Sequence, residues 1–172
     1  MPKPAVNIRA ARLSDAVAIA VIYNQGIEER IATFETKERD AEERREWLMG
    51  HDDKHPVLVA EGEEGQAVGW ASISAYGQRE CYSGIGEVTV YVRRDMRGKG
   101  IGSELLAALV DRARIVGYWK LLGRIFVTNA SSRRVFEAMG FREVGILEKH
   151  SKMDGRWIDV VEVEYLIREN VQ

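Results

Sequence analysis

The sequence has little of several residue types, and each shortage excludes a class of protein. One cysteine, Cys81, in 172 residues rules out an internal disulfide framework and suits a reducing compartment. The three histidines have no metal-ligand spacing with that cysteine, so we predict no metal site. No apolar run is long enough to span a membrane, and Met1–Ala5 lacks the apolar stretch of a signal peptide. We therefore expect a cytoplasmic protein that does not bind membranes.

Neither sign of charge dominates the chain. The 25 Lys and Arg residues against 27 Asp and Glu residues leave a formal net charge of −2, which argues against a general nucleic-acid binder. The length allows one domain with a substantial core, and no linker, repeat or low-complexity stretch divides it. We predict a single domain over residues 1–172.

Hydrophobic periodicity and capping residues predict alternating strands and helices in the order β-α-α-β-β-β-α-β-α-β-β. Helices are expected after Ser14 or Asp15, from Asp40, after Gly102, and from Asn129 or Ser131. The predicted strands cover residues 6–9, 57–60, 68–76, 88–92, 120–127, 141–149 and 157–167. This order indicates a mixed α/β (α+β) fold.

The most informative segment is Arg97–Gly102, a turn with three alternate glycines between a predicted strand and a predicted helix. Glycines let the backbone approach a phosphate, and the free N–H groups of a helix start point at it. An NTPase loop would need Ser or Thr after Gly98-Lys99, and a dinucleotide-binding turn would need an acid near Tyr118–Lys120. Both fit poorly. The remaining alternatives are another phosphorylated cofactor or a glycine-rich turn without a ligand.

The R-x-x-G-x-G spacing of Arg97–Gly102 resembles the acetyl-CoA signature of the GCN5-related N-acetyltransferase (GNAT) family. Asn129–Phe141, an Asn followed by a helix that ends in Gly-Phe, resembles the family's second signature. Taken alone, Asn129 would be interpreted as only a helix cap, but together with Arg97–Gly102 it favours a cofactor contact. The resemblance implies a mostly antiparallel twisted central sheet flanked by helices, with acetyl-CoA as co-substrate. It implies cofactor contacts from the main chain of Val90, Tyr91 and Val92, and from Arg97, Gly98, Lys99, Gly100, Ile101, Gly102, Ser103, Asn129 and Ser132.

A narrower resemblance is carried by Glu87–Val92, which is similar to the Glu-x-Thr-Val-Tyr-Val stretch of the phosphinothricin acetyltransferases. Ile22–Glu28 and Gly155–Val160 resemble the same subfamily, and Trp119–Phe126 resembles its arsinothricin-resistance branch. The subfamily acetylates the α-amine of glutamate-like antibiotics of the phosphinothricin, arsinothricin or methionine sulfoximine type. The resemblance implies this activity, a homodimer, and Glu87 as the general base that deprotonates the amine.

Such a substrate needs cations and a few apolar walls. The subfamily has an arginine at the position of Arg79, so the resemblance implies that Arg79 supplies the cation; an exposed role remains the alternative. We expect Phe34 and Tyr82 to form walls and Thr89 to contact the substrate. Phe136 replaces a tyrosine that often serves as the acid in the family, so the acid is left open. Two further functions remain: acetylation of a protein N-terminus or lysine, and a non-catalytic acyl-CoA-binding module.

Overall fold

The computed structural model describes residues 4–171; residues 1–3 and 172, which the predicted domain includes, lie outside this part. The strands are β1 (Asn7–Ala10), β2 (Val57–Glu61), β3 (Ala67–Ala75), β4 (Ile85–Val92), β5 (Lys120–Phe126), β6 (Arg142–Met153) and β7 (Arg156–Leu166). The helices are α1 (Ala16–Glu29), α2 (Ala41–Met49), α3 (Ile101–Val116) and α4 (Ala130–Ala138). The predicted order of elements is confirmed.

The strands form one seven-stranded sheet in the order β1-β2-β3-β4-β5-β7-β6. β4 and β5 are parallel, whereas the other neighbouring pairs are antiparallel. The mostly antiparallel sheet flanked by helices is therefore confirmed. None of the helices in the described part of the chain is both long and apolar enough to cross a membrane.

The helices cover both faces of the sheet, because alternate residues of each strand point to opposite sides. On one face, Leu105 and Leu109 of α3, both 0% exposed, pack against Leu58 and Ile73. On the other face, Ile19 and Ile22 of α1 and Leu48 of α2 pack against Val57, Val59 and Trp70. Burial of these apolar stripes holds the layers together.

Three element boundaries differ from the sequence prediction by two residues or more, whereas other strand ends differ by at most one. β4 begins at Ile85, because Gly86 pairs with Ala75 of β3 and with Leu121 of β5. A side chain does not fit at Gly86, since an added Cβ would lie 2.5 Å from Ile73 Cγ2. α3 begins at Ile101, directly after Gly100, whose φ of 82° is left-handed. β6 continues to Met153 through a bulge at residues 148–150, which breaks the alternation from which strands are predicted.

Candidate active site

The parallel strands β4 and β5 separate after a short contact. Only Ile85–Glu87 pairs with β5, through Lys120–Leu122, while β5 stays paired with β7 along its full length. Residues 88–92 of β4 therefore border an open wedge. A cavity of about 840 Å³ occupies the wedge and extends over the α1 and α2 face of the sheet.

The backbone of β4 offers hydrogen-bonding groups to this wedge. The Arg93 N–H donates to the Val68 carbonyl of β3 at 2.8 Å. Because hydrogen-bonding direction alternates along an antiparallel strand, Tyr91 also faces β3, whereas Val90 and Val92 turn their N–H and C=O groups into the wedge. The Val92 carbonyl accepts from Arg97 Nε at 3.0 Å. Main-chain contact with an extended amide ligand is thus open to Val90, while the Tyr91 main chain is directed to the sheet.

The glycine turn leads into α3 beside the wedge. Gly98 and Gly100 have positive φ values of 73° and 82°, which glycine adopts without strain. The Glu104 N–H donates to the Gly100 carbonyl, so the N–H groups of residues 101–103 precede the first full turn of the helix. These residues line the cavity, as do Arg97, Gly98 and Gly100. A phosphate-bearing ligand such as acetyl-CoA fits this cradle.

The arginines around the turn already form ion pairs with carboxylates. Arg97 and Arg94 donate to Glu29 at 2.7 and 2.6 Å, and Arg94 also reaches Glu28. Burial acts to raise the pKa of Glu29, but the two guanidinium groups outweigh it and lower the pKa. The Lys99 ammonium lies 3.7 Å from Met96 Sδ, and Lys99 does not line the cavity. The anion-binding character of the turn therefore rests mainly on its backbone.

Asn129 stands at the start of α4 and has two partners. Its Oδ1 accepts from the Ser132 N–H at 3.1 Å, and its Nδ2 donates to the Ile31 carbonyl at 3.3 Å. The residue is therefore a helix cap, and both Asn129 and Ser132 also line the cavity. Phe136 is 4% exposed and packs on the Phe141 ring, so its side chain supplies no proton to the cavity.

Glu87 is not among the residues that line the cavity, but its side chain lies on the α1 and α2 face beside residues that are. The cross-strand pairs Trp70–Tyr91, Ser72–Thr89 and Ser74–Glu87 follow one another on that face. Thr89 lines the cavity, as does Arg124, which lies 3.2 Å from Glu87 Oε1 and 3.5 Å from Glu162 Oε1. The Glu87 side chain is 33% exposed. The site thus has a carboxylate next to the point where β4 and β5 separate.

The segment between α1 and α2 covers part of the cavity. Phe34 lines it, and its ring lies 4.6 Å from that of Phe126. The Tyr91 hydroxyl donates to the Ala32 carbonyl at 3.4 Å, and Arg30 pairs with Asp154 at 3.1 Å. These contacts fix the segment over β4, β5 and the β6–β7 turn.

Arg79 and Tyr82 lie apart from the other predicted residues. A short 3-10 turn at Glu80–Tyr82 folds the loop so that both line a second cavity of about 210 Å³, together with Tyr118. The Tyr82 ring packs against Tyr76 at 5.2 Å. Within one chain, the large cavity therefore brings Thr89 and Phe34 together, close to Glu87, without Arg79 and Tyr82.

Sequence reasoning missed a group of cavity-lining residues on and after α2: Arg44, Trp47 and His51. Their spacing of three and four residues was the available signal, because it places them on one helix face. His150 also lines the cavity; the Lys149 N–H donates to Asp159 Oδ1 at 2.7 Å within the β6 bulge. In the described residues, no group of three or more His, Cys, Asp or Glu is arranged to hold a metal ion.

Comparison with known proteins gives the same class as the fold and the site. Residues 8–161 match the family model of the acetyltransferase (GNAT) domain. The L-methionine sulfoximine/L-methionine sulfone acetyltransferase of Pseudomonas aeruginosa is 34% identical over 155 residues, which cover 90% of this chain and 90% of that protein.

Two solved structures show the same fold. A GNAT superfamily phosphinothricin acetyltransferase from Sinorhizobium meliloti, in complex with acetyl-CoA, has a TM-score of 0.86 and 29% identity, covering 94% of this chain and 88% of that one. A ribosomal-protein-alanine N-acetyltransferase from Brucella melitensis has a TM-score of 0.90 and 36% identity, covering 94% and 99%.

The chain belongs to the GNAT family. It is an acetyl-CoA-dependent N-acetyltransferase, and within the family it falls among the proteins that resemble phosphinothricin acetyltransferases.

Proposed function

We propose that this enzyme transfers an acetyl group from acetyl-CoA to the α-amine of a small glutamate-like amino acid of the phosphinothricin, arsinothricin or methionine sulfoximine type, as a detoxification activity. The position of Glu87 carries the proposal. It stands at the last pair between β4 and β5, on the face of the sheet under α1 and α2 (the acceptor face), and its carboxylate forms an ion pair with the cavity-lining Arg124. The names of the similar proteins support the substrate class.

Acetyl-CoA supplies an activated acetyl thioester. In the proposal, the α3 start and the glycine turn bind its phosphates, and the wedge-facing N–H of Val90 orients and polarises the acyl end. Ser132 and Asn129 border the path between them. Glu87 takes the proton from the acceptor ammonium, directly or through a water, so that the amine attacks in its neutral form. The C–N bond forms, the C–S bond breaks, and CoA leaves as a thiolate that takes up the second proton lost by the nitrogen. Thr89 contacts the acceptor from the sheet, and Phe34 contacts it from the covering segment between α1 and α2.

The first test is release of CoA with phosphinothricin, arsinothricin, methionine sulfoximine and short peptides as acceptors. Glu87→Gln keeps the side-chain volume and removes the base, so we expect kcat to fall about 10²- to 10⁴-fold. The ion pair with Arg124 is partly exposed, so its loss should cost under about 1 kcal/mol of stability. Glu63→Gln, in the exposed hairpin turn, is the matched control. A Glu87 variant with unchanged kcat would contradict the assigned role.

The second candidate function is acetylation of a protein N-terminus. The Brucella melitensis structure named as a ribosomal-protein-alanine N-acetyltransferase favours it. The segment between α1 and α2, held over the cavity through Phe34 and Arg30, favours a small acceptor over a peptide. Turnover restricted to peptides that begin with alanine would replace the first proposal with this one.

The proposal includes a homodimer in the cytoplasm. β6 is an edge strand, and Ile146 and Trp157 on the β6–β7 hairpin are 53% and 57% exposed, which suits burial against a second copy. The exposed free Cys81 is compatible with a reducing compartment. Light scattering coupled to size exclusion measures the mass directly, and the mass of one chain would refute the dimer.

A further inference from the structure

Helix α2 presents a row of side chains to the part of the cavity that lies over the α1 and α2 face of the sheet. Arg44 and Trp47 lie on α2 and His51 follows its end, so that they share one face. The helix start is fixed by a capping box, in which Asp40 and Glu43 exchange hydrogen bonds at 2.8 and 2.9 Å. This row is therefore held by a well-defined helix.

Arg44 lies against aromatic rings and has no acidic partner. Its guanidinium carbon lies 5.3 Å from the centre of the Tyr23 ring and 5.0 Å from that of Trp47. Its Nε is buried without a hydrogen bond, and within residues 4–171 no carboxylate lies in ion-pair range. By contrast, Arg97 and Arg124 at the same cavity are both paired with carboxylates.

An arginine in this position is suited to an anion from outside the chain. Burial lowers the pKa of Arg44, but arginine remains charged at neutral pH. The nearby carboxylates of Glu35 and Glu43 act on Arg44 only at longer range, because both pair with Arg39. A partly desolvated cation without a close counterion is unfavourable, and a ligand carboxylate or phosphinate would relieve this. The same wall contains a second unused donor, because Trp70 Nε1 is buried without a partner. The Trp70 ring lies 5.4 Å from that of Trp47.

We propose that Arg44 binds the distal anionic group of the acceptor. This inference rests on the proposed function. Glu87 pairs with Ser74, and Trp70 lies four residues along β3, about 13 Å away along the strand. The acceptor amine would lie near Glu87 and Thr89, and the side-chain acid would point along β3 toward Arg44, which lines the cavity. The subsite thus selects glutamate-like acceptors by charge.

The test compares two acceptors that differ at the distal end. Phosphinothricin ends in a phosphinate anion, whereas methionine sulfone ends in a neutral group. For Arg44→Gln we expect kcat/KM with phosphinothricin to fall about 10- to 100-fold and kcat/KM with the sulfone to stay within about threefold. Arg44→Lys, which keeps the charge without the planar fork, should lose less. Arg45→Gln, at an exposed neighbouring position of α2, should match the wild type.

Calorimetric titration of the CoA-bound protein with phosphinothricin separates this inference from the proposed function. Binding that depends on Arg44 without any turnover would support the subsite and overturn the proposed function. If Arg44→Gln turned over both acceptors with the wild-type ratio of their kcat/KM values, whether both values were unchanged or equally lowered, the subsite alone would be overturned. Neither binding nor turnover of phosphinothricin, arsinothricin or methionine sulfoximine by the wild type would overturn both. Arg44→Lys covers the case in which Arg44→Gln does not fold, and wild-type binding is measured in any case.

Discussion

Two variants of Asn129 can separate its role as a helix cap from a role in binding acetyl-CoA. Its Oδ1 caps α4 through the Ser132 N–H, and its Nδ2 faces the cavity wall and donates to the Ile31 carbonyl. Asn129→Asp keeps an oxygen for the cap and removes the amide donor. Asn129→Ala removes both. The pair of variants therefore tests whether the residue contacts acetyl-CoA in addition to capping the helix.

The expected magnitudes follow from these contacts. Loss of an N-cap costs about 1 kcal/mol, which lowers the melting temperature of a chain of this size by about 2–4 °C. Asn129→Asp should keep the wild-type melting temperature, because a carboxylate at a helix start is favourable. The bond to Ile31 is long and contributes little, about 0.5 kcal/mol. If the amide donates to the cofactor, both variants should bind acetyl-CoA about 2- to 10-fold more weakly.

Thermal unfolding followed by circular dichroism, together with acetyl-CoA titration calorimetry, measures both quantities on the same samples. Asn129→Asp with wild-type affinity for acetyl-CoA would refute the ligand contact and leave the cap alone. A melting temperature of Asn129→Asp as low as that of Asn129→Ala would refute the cap as the source of the stability.

Two further predictions concern stability. At Gly84 an added Cβ would lie 1.9 Å from Trp119 Cε3, so Gly84→Ala should lower the free energy of unfolding by about 1–3 kcal/mol, measured by urea titration. Gly145→Ala is the control, because an added Cβ there meets no atom within 4 Å, and it should change this free energy little. Burial acts to raise the pKa of Asp15, but hydrogen bonds from Arg9 and the Arg12 N–H outweigh it and lower the pKa. The stability that Asp15 contributes is therefore fully present above its ordinary pKa of about 3.9 and is lost as pH falls below it. Asp15→Asn should be less stable at pH 7 and lose less stability between pH 7 and acid; an identical pH profile for both proteins would contradict this.

Local pattern was sufficient for most of the fold. Strong capping residues such as Asp40 and glycines such as Gly117, with a φ of 96°, mark helix ends that depend on a few neighbouring residues. The ends of β4 and β6 were harder to predict, because Gly86 belongs to its strand through partners on β3 and β5. The β6 bulge likewise depends on Asp159 of β7. These features are set by contacts between segments distant in sequence.

The same distinction applies to the site. Arg97–Gly102 could be recognised because its turn geometry is encoded within six residues, whereas the cavity position of Arg44 depends on how α2 packs over β3. The loop of Arg79 could not be placed from sequence, since the 3-10 turn directs it to the smaller cavity. Residue types alone predicted cations near the acceptor; which cations lack an acidic partner became visible only in three dimensions.

The separation of β4 and β5 connects the two halves of the site. If the strands stayed paired beyond Glu87, β5 would take the N–H and C=O groups of Val90 and leave none for an extended ligand. Because they separate there, one strand presents main-chain groups to the wedge and alternate side chains, Glu87 and Thr89, to the acceptor face. A thioester held along β4 and an amine held near Glu87 would therefore approach each other where pairing ends. In the proposed mechanism, the strand geometry thus supplies the proximity that acetyl transfer requires.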